Sequence, residues 1–179
     1  QVMLKDLGRY SNRQHHEMYN SGHLLTSACI HHRVTGKRNF LDIAIKHGKH
    51  LYSVFKSRPK ELSRFGFNQT QIMGLVELYR ETGKKQYLFL ALFFLDERGK
   101  GHLKSVYRWT STKYHQDHIS VRAASTMEGH AVRQLYLTAG VTDAYLETGE
   151  QALFVAMLRQ WHDMTERKMY ITGGVGALH

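Results

Sequence analysis

Proline occurs once in this chain, at Pro59, and cysteine once, at Cys29. So little proline in 179 residues removes the breaks that many short strands and turns require, and favours long helices. A lone thiol excludes an intrachain disulfide and any multi-cysteine metal site within these residues. Set in the apolar run 24–30, Cys29 reads as a buried structural thiol. No apolar run approaches the roughly 20 residues that cross a bilayer, so no membrane partner is expected. Gln1 opens the chain without an initiator Met or a charged-then-apolar leader. The expected compartment therefore stays open between cytoplasm and periplasm or exterior. Acidic residues are also short in supply, 15 against 25 Lys and Arg, for a formal charge of +10. That balance raises a nucleic-acid reading. The cations fall in short groups such as Lys37-Arg38, Lys84-Lys85 and Arg167-Lys168, mostly at predicted helix ends, where cations are ordinary surface residues. A basic helical repeat is thus a third choice, and no nucleic-acid partner is expected.

What is present is a globular composition, 42% hydrophobic and 11% aromatic, with apolar residues at three- and four-residue steps nearly throughout. The pattern predicts helices at about 13–34, 39–56, 68–82, 85–98, 122–147 and 150–168. Between 99 and 121 it lapses into a long loop, of the kind that tends to be functional. No low-complexity linker interrupts it, and one domain is expected over 1–179.

A weak repeat sets the architecture. Thr35-Gly36, Thr82-Gly83 and Thr148-Gly149 each close a predicted helix. Each is followed by an apolar pair, Phe40-Leu41, Tyr87-Leu88 and Leu153-Phe154, and then by Ile43-Ala44, Leu90-Ala91 and Ala156-Met157. A glycine that can turn left-handed ends one helix and the next begins at once, which makes an αα-hairpin used three times. The threonines are 47 and 66 residues apart, too unequal for a solenoid of fixed period. The fold class expected is all-α, with hairpins forming part of an (α/α)6 toroid. Such a portion would expose inner apolar surface to be covered by the remainder of the chain or by a second copy.

Two segments could carry chemistry, Gly22-His23-Leu24-Leu25 and Gly129-His130-Ala131-Val132, each placing Gly-His at the start of an apolar helical run. Imidazole both donates and accepts hydrogen bonds, which suits a polar ligand, although 13 histidines make local pairs common by chance. Glu17 and Tyr19 fall within about two turns of His23, and His115-Gln116-Asp117-His118 precedes His130. His115, Asp117 and His118 have only weak metal-ligand spacing, and no metal site is assigned. His31-His32, His47 and His50 read as surface. No carboxylate pair for glycoside hydrolysis is evident, Glu17 and Glu128 being the only acids beside the two helix starts. Gly173-Gly174-Val175-Gly176 lacks the Lys-Ser/Thr and following helix of a phosphate loop.

In this order, six strings resemble the β-L-arabinofuranosidase-like glycoside hydrolases of family 127, a bacterial group once carried as a domain of unknown function. They are residues 16–24 (His-Glu-Met-Tyr-Asn-Ser-Gly-His-Leu), 35–46, 74–83, Gln116-Asp117-His118 with Val121-Arg122, 129–133 (Gly-His-Ala-Val-Arg) and 168–174. The resemblance spans essentially the whole chain. It implies an (α/α)6 barrel that removes terminal L-arabinofuranose or a similar sugar from plant-type glycans. Inner-helix histidines hold the sugar, and His23 and His130 match two of them. A third aligns with Asn68, which can bond a hydroxyl but cannot become cationic. Ala123-Ala124-Ser125-Thr126 departs from the Glu-Gln-Thr-Glu type run of relatives. The binding set the resemblance implies is His23, Asn68, His130, Glu17, Tyr19, Gln116 and His118. The relatives' acid/base glutamate and zinc–cysteine site, with one cysteine as nucleophile, follow the Thr-Gly-Gly string and match nothing here. The chain is therefore expected to be an incomplete N-terminal portion, inactive alone, holding no cofactor, with zinc implied only for the full-length relative. A noncatalytic carbohydrate-binding or scaffold protein of the same ancestry is the alternative.

Overall fold

A computed structural model describes residues 9, 10, 12–57, 66–103 and 111–176. Pro59, part of the predicted long loop and the closing residues 177–179 lie outside them. The described residues form the helices α1 (Glu17–Thr35), α2 (Asn39–Phe55), α3 (Thr70–Thr82), α4 (Lys85–Asp96), α5 (Ala131–Thr148) and α6 (Gln151–Asp163), joined by turns and loops. A π-helical turn, Met164–Lys168, continues α6. The chain divides into two compact units, residues 1–94 and 95–179, each described by itself below.

The three Thr-Gly pairs fall where the sequence puts them. Gly36, Gly83 and Gly149 have φ of 69°, 67° and 67° and donate their N–H to His32 O, Tyr79 O and Tyr145 O. Each threonine hydroxyl donates back to the fourth residue before it (His31, Leu78, Ala144). Each also accepts from the second residue after it, Lys37, Lys84 and Glu150. The same seven-residue device thus ends one helix and starts the next three times. Leu41, Tyr87 and Leu153 are buried in the following helices, so the first hairpin runs one residue out of register with the other two.

The first unit is built on α1 against α3. Gly22 and Gly74 face each other there: a Cβ on Gly22 would lie 2.2 Å from the Thr70 carbonyl carbon, and one on Gly74 2.5 Å from Gly22 O. Around this crossing lie Met18, Leu25, Cys29, Ile72, Leu75 and Leu78, all buried. Burial raises the Cys29 thiol to about 11, with Glu81 adding to the rise, so it stays an inert thiol.

Several readings need correction. The helix expected over 122–147 begins only at Ala131. Residues Val121–Ala123 are a 3-10 turn, and the loop runs on because Gly129, at φ 74°, cannot continue a helix. The first helix likewise starts at Glu17, after a short 3-10 turn. His32 and His47 are not free surface. His32 pairs with Glu81, and His47 Nε2 donates at 2.8 Å to Ser21 Oγ, whose own proton goes to Glu17 O.

Candidate functional site

In the first unit, polar side chains gather at the start of α1. His16, the residue before the helix, has φ 54°, a left-handed conformation that costs a non-glycine residue about 1–2 kcal/mol. Its ring lies 6.1 Å from that of Tyr19, and Tyr19 meets His23 edge to face at 4.5 Å between centroids. The four-residue spacing puts Tyr19 and His23 on one face of α1, and the ring of His16, from the turn before the helix, lies beside that of Tyr19. Asn68 Nδ2 donates to His16 Nδ1 at 3.3 Å. The close α1–α3 crossing brings Asn68 here. Thr70 Oγ1 donates to Tyr19 O at 2.8 Å, and Gln69 Nε2 donates to Gly66 O at 2.7 Å, bracing the turn that carries Asn68. His16 and His23 are exposed, while Tyr19 and Asn68 are half-buried. Glu17 turns elsewhere: its Oε2 accepts the Tyr10 N–H at 2.6 Å and fixes the segment leading into α1.

The second unit builds its polar site from the loop before α5. Gln116 and Asp117 are buried, the former at φ 55°. Asp117 uses both carboxylate oxygens on backbone, Oδ1 accepting from Gly99 N (2.9 Å) and Oδ2 from Leu103 N (2.6 Å). His115 accepts from Arg133 at Nδ1 (2.8 Å), and its carbonyl accepts from Arg98. Gln116 Nε2 donates to Glu128 O (2.8 Å), Tyr114 O (3.1 Å) and His130 O (3.4 Å). His130 N donates to Tyr114 O at 3.1 Å, and the two rings meet at 5.6 Å, nearly perpendicular. Burial, then the nearby Arg133 guanidinium, holds the His130 imidazole below the usual histidine pKa. It is neutral at pH 7, able to donate from one nitrogen and accept at the other. His118 is exposed in the same loop.

Each unit thus presents hydrogen-bonding side chains beside aromatic edges, the surface that a small polyhydroxylated ligand requires. His23, Tyr19, Asn68 and Glu17 belong to the first unit, and Gln116, His118 and His130 to the second. His16 opens the first matching string, but the sequence gives it no role. The 16, 19, 23 periodicity was the available signal, whereas its contact with Asn68 is tertiary. Neither Glu17 nor Glu128 joins a carboxylate pair: Glu128 accepts from Thr126 Oγ1 at 3.0 Å and pairs with Lys113. The described residues do not fit a zinc–thiolate centre, because Cys29 is buried and no group of three His, Cys, Asp or Glu converges among them.

Comparison with known proteins agrees with these strings and helices. The family model for the β-L-arabinofuranosidase GH127 catalytic domain matches residues 4–179. A non-reducing end β-L-arabinofuranosidase of Bifidobacterium longum subsp. longum is 32% identical over 93% of this chain. The match takes in 28% of that enzyme, so the chain spans less than a third of the relative's length. A crystal structure of a GH127 β-L-arabinofuranosidase from Geobacillus stearothermophilus T6 superposes with a TM-score of 0.83 at 34% identity, covering 97% of this chain and 30% of that one. A second structure, of a glycoside hydrolase, gives 0.79 at 41% identity, over 91% of this chain and 26% of that one.

Proposed function

This chain belongs to the GH127 β-L-arabinofuranosidase catalytic domain family, and from that premise we propose that it is the sugar-holding portion of a longer glycoside hydrolase. The observation that carries the reading is the match of nearly the whole chain to under a third of enzymes that act on arabinofuranosides. The substrate is a glycan, with a terminal L-arabinofuranose or a similar sugar as the group removed. In the first unit His23 and Asn68 are the proposed partners of sugar hydroxyls, with Tyr19 supplying an apolar edge beside them. In the second, His130 and His118 are the proposed sugar-binding residues. Glu17 serves by anchoring the entry to α1 through the Tyr10 N–H. Asn68 in place of a third histidine, with its amide hydrogen on His16, is proposed to alter sugar specificity. The acid/base glutamate and the zinc-held cysteines of the whole enzyme lie outside these residues, in an (α/α)6 barrel that the three hairpins begin.

The test starts with the intact mass of the natural polypeptide. A mass well above 20.8 kDa, with bound zinc and release of L-arabinose from a β-L-arabinofuranoside, is the expected result. His23→Ala and His130→Ala should each raise KM about tenfold, the loss of one or two ligand hydrogen bonds. A mass near 20.8 kDa with sugar affinity but no turnover would leave a noncatalytic binding protein. Absence of both turnover and sugar affinity would sink the proposal.

A further inference from the structure

Gln116 is buried, yet it stands in a strained backbone conformation within a loop. A glutamine contacting sugar would keep its amide open to the pocket. Here the amide nitrogen is spent on three backbone carbonyls, those of Tyr114, Glu128 and His130. Two of the three flank Gly129, the residue that turns the chain into α5. That glycine is itself clamped: a Cβ on it would fall 2.5 Å from Lys113 O and 2.6 Å from Tyr114 O. The His130 N–H returns a hydrogen bond to Tyr114 O. Segments 113–116 and 128–130 are therefore laced backbone to backbone, with the Gln116 side chain as the cross-tie. Above this lacing the Tyr114 ring meets the His130 ring, and Arg133 lies over Tyr114, 5.6 Å from the centroid, while bonding His115.

We propose that Gln116 is a positioning residue that acts through His130, fixing the imidazole at the start of α5, rather than a ligand contact of its own. The inference rests on the reading of His130 as a sugar-binding residue. An amide on a two-methylene stem can direct its two N–H hydrogens at Glu128 O and Tyr114 O, with His130 O at 3.4 Å sharing one of them. Glutamate would set a carboxylate oxygen against them, and methionine keeps the shape but donates nothing. A small, partly open cavity of about 20 Å³ beside Gln116, lined also by Gln134 and Gln160, has room for one water.

The test is a double-mutant cycle in the whole natural polypeptide, pairing Gln116→Met with His130→Ala, with Gln116→Glu as a second disruption. KM for a chromogenic β-L-arabinofuranoside is read beside a 15N NMR titration of the His130 ring. Gln116→Met is expected to raise KM about five- to tenfold, and to shift the His130 titration and tautomer balance. On the His130→Ala background the same change should leave KM unaltered. Additive effects would overturn the proposal, because Gln116 would then touch the sugar independently. A lower Tm with unchanged KM and unchanged His130 signals would overturn it too, leaving Gln116 a scaffold residue. Should the parent protein bind no pentofuranoside, the sugar reading fails, and the NMR titration alone still decides whether Gln116 sets His130.

Discussion

Gly22 and Gly36 stand 14 residues apart on the same helix and its cap, yet they are glycines for different reasons. Gly36 needs its left-handed φ and has no atom within 4 Å of a built Cβ. Gly22 is ordinary helix, but α3 backbone occupies the place of its side chain. Gly36→Ala should cost about 1 kcal/mol, the conformational term alone. Gly22→Ala must separate two helices and should cost about 3 kcal/mol or more, read as a lower urea midpoint. Similar losses for the two would mean that the helices do not cross this closely. His47 makes a second prediction at this scale. Burial, then the positive neighbours His50 and Arg9, lowers its pKa. The unfolded chain, titrating near 6.5, then binds the extra proton first. The stability from neutral His47 is complete above that pH and is lost as pH falls through the lower folded value. Tm should drop between pH 7.5 and 5, and His47→Gln, which keeps a donor for Ser21, should flatten that slope. An unchanged slope in the variant would rule His47 out as the source.

At the scale of elements, the hairpins and the loop follow different rules. A hairpin is written locally, since Thr-Gly plus apolar residues at helical steps suffice to end one helix and begin the next. The loop is held by side chains reaching across sequence. Asp117 ties Gly99 and Leu103, and Arg122 joins Glu150 and Asp96. Asp163 pairs with Lys168 at 2.8 Å and accepts the Met127 N–H. Asp117→Asn retains one acceptor oxygen for two N–H groups, and should cost about 1–3 kcal/mol. Hydrogen exchange should then quicken at Gly99 and Leu103 while α5 and α6 keep their protection. Uniform quickening across the second unit would show instead that the loop and the hairpin unfold together.

On the scale of the whole molecule, carboxylates inside each unit engage part of the positive charge, and the excess of Lys and Arg over Asp and Glu stays uncompensated. Arg33 bonds Glu77 and Glu81, Arg80 bonds Glu77, Lys100 bonds Glu97, and Arg122 bonds Glu150. Apolar surface is less settled. Along α5 and α6 a groove of about 450 Å³ is lined by Leu135, Thr142, Leu146, Leu158 and Trp161 among others, and Leu146 and Trp161 are 64% and 57% exposed. Patches of this kind bind other apolar surfaces. If further helices of a longer enzyme cover the groove, the 179-residue chain alone should bind a hydrophobic dye and self-associate. Leu158→Lys with Trp161→Lys should then reduce both. Equal dye binding by the whole natural polypeptide would show the groove uncovered there as well.

The sequence by itself determined the all-α class, the three αα-hairpins and their ends, because helix periodicity and a left-handed glycine stop are local properties of the chain. It also carried the family, through six short strings in order. It could not place the start of α5, since Ala123-Ala124-Ser125-Thr126 looks helical and only the clamp on Gly129 and the ties to Asp163 and Arg159 hold that stretch out of a helix. Nor could it single out His16, which accepts a hydrogen bond from Asn68, among the polar residues near α1. The partners that decide such roles are remote in sequence, 52 residues for His16 and Asn68, and only packing brings them within reach.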